Sequence, residues 1–223
     1  MKKLLKGISK ESFEQKKART KEIEKLLQKE YRSTNTALQY SSHFHLVVAV
    51  ILSAQCTDVR VNLVTPGLFA QFLTIEDFAT ADVRLLEKLI HSTGFYHNKA
   101  RNIIACAKTV LEKHQGRVPH TMEELIQLPG VGRKTANVVL GEAFQKIEGV
   151  VVDTHVLRLS QRLGLTKNED AVKVEQDLMS LVPKKKWFHF SNALILHGKK
   201  ICPARKPLCD RCLLSLLCPS SNI

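Results

Sequence analysis

The 223-residue sequence lacks any long hydrophobic run. Its longest apolar stretch, Leu46 to Leu52, is far shorter than the roughly 20 residues that a membrane-spanning helix needs. The basic N-terminus has no apolar stretch of the length found in a signal peptide, and Glu11 and Glu14 argue against a transit peptide. We therefore expect no membrane partner and a cytoplasmic location, with the nucleoid if the source is bacterial or archaeal.

Strand–turn–strand patterns, internal repeats and low-complexity tracts are also missing, and helical periodicity recurs along the chain. We therefore predict an all-α fold. The apolar segment 44–54 has enough β-branched residues to suit a strand, but its helical neighbours favour a buried helix. A short helix is predicted over 58–64, ended by Pro66-Gly67, and another over 187–196, ended by His197-Gly198. No coiled-coil pattern indicates an oligomer, so a monomer is expected.

Acidic residues are scarce: the net charge is +13, and the segment 178–209 has seven Lys and Arg but no Asp or Glu. Such a balance favours a polyanionic partner, most often nucleic acid. A generally basic protein with solvated lysines would show the same composition.

Six cysteines fall into two groups. Cys56 and Cys106 are isolated within apolar helical patterns, as buried small hydrophobic residues are. The other four, Cys202, Cys209, Cys212 and Cys218, have the spacing C-x6-C-x2-C-x5-C. Without an export signal, such a cluster indicates a metal centre rather than disulfides. Thiolates at these positions suit an iron–sulfur cluster, and a four-cysteine zinc site is the alternative.

The segment Leu128 to Thr135 joins a glycine turn to the start of a helix. Gly130 and Gly132 can take positive φ and allow close backbone approach, and the first amides of the following helix can hold a phosphate. Lys134 lies in the first turn, where the helix dipole disfavours an ammonium ion and so favours a nucleophilic amine. Asp153, nineteen positions later, is the expected N-cap of the next helix.

These segments resemble the endonuclease III family of DNA glycosylases, in the helix–hairpin–helix superfamily. The resemblance runs from about Thr36 to Cys218 and rests on the following motifs: Leu52-Ser53-Ala54-Gln55-Cys56-Thr57-Asp58, Gly94-Phe95-Tyr96 with Lys99-Ala100, Leu128 through Leu140, Val152-Asp153-Thr154-His155, Leu196-His197-Gly198 and the four cysteines. It implies two helical domains flanking a DNA cleft. A six-helix barrel with the helix–hairpin–helix would span 36–146, and residues 1–35 with 147–223 would form a [4Fe–4S] cluster domain.

The resemblance also implies a function, a base excision repair glycosylase with abasic-site lyase activity on oxidised pyrimidines in duplex DNA. Lys134 would attack the sugar C1′ to form a Schiff base that permits β-elimination, and Asp153 would stabilise positive charge or relay protons. Their plainer roles would be a phosphate-contacting cation and a helix cap. The cluster would be structural and would shape a basic loop.

The remaining implied residues contact DNA. Gln55 and Phe95 would fill the gap left by the extruded nucleotide, although the family often has a smaller aliphatic residue in place of Phe95. The residues implied to contact the backbone or line the site are Gly130, Gly132, Arg133, Thr135, His155 and Lys199. Two alternatives stay open: an adenine-mismatch glycosylase, which usually lacks the lysine and carries an extra C-terminal domain, and a non-catalytic DNA-binding module that uses the hairpin only for phosphate.

Overall fold

A computed structural model of the protein describes residues 11–34 and 36–223, and it is helical. The helices are α1 (Phe13–Glu30), α2 (His43–Leu52), α3 (Asp58–Gln71), α4 (Ile75–Ala79), α5 (Val83–Ile90), α6 (Tyr96–His114), α7 (Met122–Leu125), α8 (Arg133–Phe144), α9 (Thr154–Arg162), α10 (Ala171–Leu181) and α11 (Trp187–Lys200). Short 3-10 turns cover His91–Thr93, Lys184–Lys186, Cys209–Arg211 and Ser215–Leu217. No strand occurs in the described ranges, so the all-α prediction is confirmed.

The chain divides into two compact units. One is Thr36–Lys146, and the other combines the described residues 11–34 with those from Ile147 onward. Each unit has its own apolar core. Residues 1–10, which belong to the basic N-terminal segment of the sequence prediction, lie outside the described residues. None of the helices described is long and apolar enough to cross a membrane.

The core of the 36–146 unit is arranged around α2. Ser42 caps its N-terminus by accepting a hydrogen bond from the amide of His45, and every residue from Phe44 to Leu52 is buried. A helix buried on all sides has no polar face, which is why its sequence carries no helical period. Phe78 and Leu140, both fully buried, belong to the same core. The helix predicted over 44–54 is therefore confirmed.

The helix α3 continues through Pro66, so the prediction that Pro66-Gly67 ends it is wrong. A proline within a helix removes one backbone hydrogen bond and favours a kink, but it does not force the helix to stop. Val61, Thr65 and Leu68 are buried on both sides of the proline. Burial of this face explains why the helix persists to Gln71.

The core of the second unit includes apolar residues of α1, α9, α10 and α11. A capping box starts α1, because the Ser12 side chain accepts from the Gln15 amide while the Gln15 side chain accepts from the Ser12 amide. The helix α11 runs to Lys200, beyond the predicted end at His197-Gly198. A Cβ on Gly198 would lie 3.0 Å from the Cβ of His155. This glycine therefore permits close packing of α11 on α9 rather than ending the helix.

Candidate functional site

The hairpin before α8 has one glycine that requires its special backbone. Gly130 has φ +79°, and a Cβ there would lie 2.9 Å from the Cβ of Asn102 on α6. Leu128 and Val131 on either side are buried and joined by a 3.0 Å backbone hydrogen bond. The turn is therefore anchored by apolar side chains while its tip is exposed, and only a residue without a Cβ fits the tip.

Gly132 differs from the prediction, because its φ is −88° and a Cβ there would meet nothing within 4 Å. It is the N-cap of α8, and no side chain caps the first amides of that helix. Uncapped first-turn amides can bind an anion. Gly132 therefore contributes by leaving the first amides of α8 uncapped and accessible, and it does not adopt a positive φ.

The first turn of α8 presents its basic residues to solvent. Arg133 and Lys134 are exposed and Thr135 is partly buried, whereas Ala136 and Leu140 are in the core. Because one face of α8 packs into the core, the opposite face, which carries Arg133 and Lys134, points to solvent. The structure places Gly130, Gly132, Arg133 and Lys134 in one exposed stretch, as a phosphate-binding hairpin with a nearby nucleophile requires.

Asp153 caps α9, as the sequence predicts. Its Oδ1 accepts hydrogen bonds from the amides of His155 at 2.8 Å and Val156 at 2.9 Å. Two such bonds fix the carboxylate at the helix N-terminus and leave its second oxygen available. Structural and chemical roles of Asp153 are therefore compatible.

His155 is held beside Asp153 by a guanidinium. The Nδ1 of His155 lies 3.1 Å from Nη2 of Arg158. Burial lowers the pKa of His155, although the charge of Asp153 acts in the opposite direction. The same Nη2 donates to the carbonyls of Gly198 and Cys202 at 3.2 and 3.0 Å. Arg158 thus links the start of α9 to the first cysteine of the C-terminal loop.

The four cysteines predicted to hold a metal centre line one small cavity of about 40 Å³. Arg162, Ile201 and Leu208 contribute to its wall. None of these four cysteines is in a disulfide, and all are partly buried. The loop therefore brings together the residues that the sequence groups only by spacing.

Two of the sulfurs face nitrogen donors. Nη1 of Arg162 donates to Cys202 Sγ at 3.0 Å, and Nε2 of His197 lies 3.2 Å from Cys212 Sγ. The hydroxyl of Tyr31 is 3.0 Å from the other ring nitrogen of His197. Burial lowers the pKa of His197 to about 4, so the ring is neutral near pH 7. If Tyr31 donates to Nδ1, the Nε2–H of His197 points at the sulfur.

This donor set suits thiolates held by a metal cluster. Burial raises the pKa of Cys212 and of Cys218, and the neighbouring cysteines add to the effect, so a bound cation is needed to keep them ionised. Among residues 11–34 and 36–223, no three His, Cys, Asp or Glu side chains are grouped to hold one metal ion. Four-cysteine sets of this kind hold either a tetrahedral zinc ion or an iron–sulfur cluster.

The loops predicted to fill the DNA gap share an unusual backbone. Gln55 and Phe95 have φ of 53° and 51°, in the left-handed region that non-glycine residues rarely adopt. Both are exposed, and Phe95 has 64% of its surface accessible. An exposed aromatic ring on a strained backbone is costly to maintain and commonly marks a functional position. Lys199, the remaining predicted contact, is exposed near the end of α11.

Sequence reasoning missed the residues that support these sites. It named His197 only as part of a motif and a helix end, and it gave no role to Arg158, Arg162 or Tyr31. Their partners lie far along the chain, with 166 positions between Tyr31 and His197 and 40 between Arg162 and Cys202. The position of His197, five residues before Cys202, is a local signal that could have pointed to it.

Comparison with known proteins gives a consistent result. The family model for HhH-GPD superfamily base excision DNA repair proteins matches residues 48–184. Endonuclease III of Synechocystis is 53% identical over 207 residues, which are 93% of this chain and 94% of that protein. Endonuclease III of Bacillus subtilis is 47% identical over 81% of this chain and 83% of its own.

Solved structures agree in fold. A trapped endonuclease III–DNA covalent intermediate superposes with a TM-score of 0.88 at 39% identity, covering 92% of this chain and 96% of the other. A thermostable thymine-DNA glycosylase gives a TM-score of 0.82 at 23% identity, with 92% and 97% covered. At that identity the second likeness shows the fold alone.

Proposed function

The chain belongs to the endonuclease III family of the HhH-GPD superfamily and is a base excision repair DNA glycosylase and abasic-site lyase; on that premise we propose that it removes oxidised pyrimidines from duplex DNA with Lys134 as nucleophile. The exposed amine at the start of α8, beside a hairpin with uncapped amides, is the observation that carries the proposal. Such amides hold a DNA phosphate without reading sequence, so the hairpin can bring Lys134 to any damaged site.

The proposed reaction starts with the neutral amine. Nζ of Lys134 attacks the sugar C1′, the C1′–N bond breaks, and the base leaves with the bonding electrons and takes up a proton. The nitrogen then loses one proton, and the sugar ring opens as its oxygen leaves C1′ and takes up a proton. The product is a protonated Schiff base, an iminium, between lysine and C1′. The iminium acidifies the C2′ hydrogens, so removal of one proton there expels the 3′ phosphate by β-elimination. Water then hydrolyses the imine and regenerates the lysine.

Asp153 is the proposed electrostatic partner of Lys134. A carboxylate stabilises the positive charge that develops on the sugar as the base departs, and it can accept or return the protons of the amine. The capping bonds from the amides of His155 and Val156 support this role, since a fixed carboxylate need not reorganise during the reaction.

The proposed partner is double-stranded DNA containing a damaged base or an abasic site, bound by a monomer in the cytoplasm. Gly130, Gly132, Arg133 and Thr135 would contact the backbone. Lys199 and His155 would make further contacts from α11 and the start of α9. Gln55 and Phe95 would fill the gap after nucleotide extrusion.

Cys202, Cys209, Cys212 and Cys218 would hold a [4Fe–4S] cluster. When bound, the cluster would supply structural cross-linking of the C-terminal loop, and the basic residues of that region would face DNA phosphates. The cavity bordered by all four cysteines and the donors aimed at two of the sulfurs support this assignment.

Borohydride trapping tests the nucleophile. Wild-type protein should form a covalent adduct with a duplex containing one oxidised pyrimidine, because borohydride reduces the Schiff base. Lys134→Gln should lose the adduct and lower base release by a factor on the order of 10³ or more. Lys108→Gln, which changes an exposed lysine of α6 in the same unit, is the matched control and should trap like wild type. Base release without any adduct in wild type would indicate a water nucleophile, as in the mismatch glycosylases.

The variant Asp153→Asn separates charge from capping. Asparagine caps a helix about as well as aspartate, so the free energy of unfolding should change by no more than about 0.5 kcal/mol. The rate of base release should nevertheless fall by a factor on the order of 10² because the stabilising charge is lost. An unchanged rate would leave Asp153 with its capping role alone.

A further inference from the structure

Lys99 is a buried lysine that the proposed chemistry does not use. It lies in the first turn of α6 with 5% of its surface exposed. Burial lowers its pKa, and a cation in such a place needs strong hydrogen-bond partners. The cost of burying a lysine indicates that its contacts have a specific role.

The contacts of Lys99 join two separate segments. Nζ donates to the carbonyl oxygens of Leu52 at 2.8 Å and Thr93 at 2.9 Å. The backbone amide of the same residue donates to the carbonyl of Phe95 at 3.1 Å. Leu52 is the last residue of α2, three positions before Gln55, and Thr93 ends the 3-10 turn before Gly94-Phe95. One residue therefore supports the bases of both exposed loops.

An ammonium group is well suited to this place. The carbonyls at the C-terminal end of a helix lack internal partners and carry a partial negative charge. Leu52 O belongs to such an end, and an ammonium offers three donors for charge-assisted hydrogen bonds. A neutral side chain of the same length would leave both acceptors without these bonds. The loop after α2 and the loop before α6 would then be free to move independently.

We propose that Lys99 is a positioning residue that holds the Gln55 and Phe95 loops at a fixed separation, so that recognition of damaged DNA requires both loops to be presented from one support. The inference rests on the proposed gap-filling role of these two residues. The left-handed backbone at both positions supports it, because strained conformations persist only where the surrounding structure over-determines them.

The test uses the full-length protein and two duplexes. One contains tetrahydrofuran, an abasic analogue that cannot react, with 2-aminopurine in the opposite strand, and the other is undamaged. Affinity for each duplex and the fluorescence change of 2-aminopurine are measured at a temperature where circular dichroism shows every variant folded. Lys99→Met should lower the preference for the damaged duplex about tenfold or more and reduce the fluorescence change, while affinity for undamaged DNA stays within about twofold.

Val110→Ala is the matched control, because it removes a fully buried group from the same helix without touching either loop. Because Val110→Ala only destabilises the core, its preference for the damaged duplex and its fluorescence change should equal those of wild type. Lys99→Gln keeps an uncharged amide NH2 on a shorter side chain and should give an intermediate preference. It replaces Lys99→Met if that variant does not fold. Lys99→Met with wild-type preference and fluorescence would overturn the inference.

Gln55→Ala and Phe95→Ala separate this inference from the proposed function. In the wild-type background, each substitution should lower the preference for the damaged duplex. In the Lys99→Met background, the same substitution should lower it by a smaller factor, because the loops no longer act together. If neither change has an effect on its own, the gap-filling role fails and the inference fails with it. If both have an effect and Lys99→Met has none, only the inference fails.

Discussion

The loops of the 36–146 unit and the cysteine loop are held in place by different means. The Gly130 hairpin is anchored by buried Leu128 and Val131, and the loops near Leu52 and Thr93 are joined by the buried ammonium of Lys99. Within 201–221, a segment that the structure describes throughout, Leu214 alone is buried. The loops of the 36–146 unit therefore depend on a packed core. The cysteine loop depends mainly on hydrogen bonds to its polar groups and on the group that its cysteines are proposed to bind.

Arginines provide the contacts of the cysteine loop to the rest of its unit. Arg162 donates to the carbonyls of Pro203 and Ala204, and Arg19 donates to Leu217 O at 3.0 Å. Hydrogen bonds from a charged donor such as arginine stabilise a loop by about 1.5–3 kcal/mol each. They add to a segment in which little apolar surface is fully buried. The comparison indicates that a loop poor in core residues gains stability from a bound group, which is the role proposed for the cluster.

The largest expected effect comes from removing one of the four proposed cysteine ligands. Cys212→Ser should destabilise the protein by about 4 kcal/mol or more, because the free energy of binding a metal group contributes directly to folding. Hydrogen exchange should show lost protection across 201–221 and at the end of α11, with α2 and α6 protected as before. Iron and sulfide analysis of the purified variant gives an independent readout.

Cys106→Ala is the control for that experiment. Cys106 is fully buried in the core of the 36–146 unit, and burial raises the pKa of its thiol to about 12. Cys106→Ala should lower the free energy of unfolding by about 1 kcal/mol because it leaves a small cavity, and the variant should keep its iron content. If the two variants gave the same exchange pattern, the proposed distinction between the two regions would be wrong.

Local sequence signals predict the local parts of this molecule. The cap of α9, the turn at Gly130 and the cysteine spacing act within a few residues, so the sequence is enough to locate them. The continuation of α3 through Pro66 depends on burial of its face against other helices. The contacts of Lys99 with Leu52 and of Arg158 with Cys202 span 47 and 44 positions. Such pairs arise only when the chain is packed, and the sequence motifs did not indicate them.

An intermediate effect should follow from Gly130→Ala, which tests the backbone-held hairpin. The new Cβ would strain the positive φ and collide with Asn102, so the free energy of unfolding should fall by about 1–3 kcal/mol. Affinity for duplex DNA should fall with it, because the tip of the hairpin moves. Fluorescence anisotropy with a labelled duplex and chemical denaturation measure the two effects.

Gly132→Ala is a closely matched comparison, two residues away. Its φ is negative and its Cβ would meet nothing within 4 Å, so the cost to folding should stay near that of an N-cap change, at most about 1 kcal/mol. Equal destabilisation by the two substitutions would mean that the hairpin is not held by its backbone geometry.

The smallest expected effect is a pH dependence within the core of the 36–146 unit. His45 is buried, its Nε2 lies 3.2 Å from Phe72 O, and its ring stacks on Phe69 with 4.0 Å between centroids. Burial lowers the pKa of His45, although the bond to Phe72 O opposes the shift. Below about pH 6.5 the unfolded state therefore binds more protons than the folded state, and stability falls as the pH is lowered toward the folded pKa.

The variant His45→Gln cannot titrate, so subtracting its free energy of unfolding from that of wild type at each pH isolates this one residue. Groups common to both proteins, including buried His197 in the other unit, cancel in the difference. The difference should be constant above about pH 6.5 and should shrink below it by no more than about 1.4 kcal/mol per pH unit, the limit for a single proton. His91→Gln, at an exposed position of the same unit, is the control. A difference that grows as the pH falls would mean that the folded protein favours charged His45, contrary to a core held together by apolar burial.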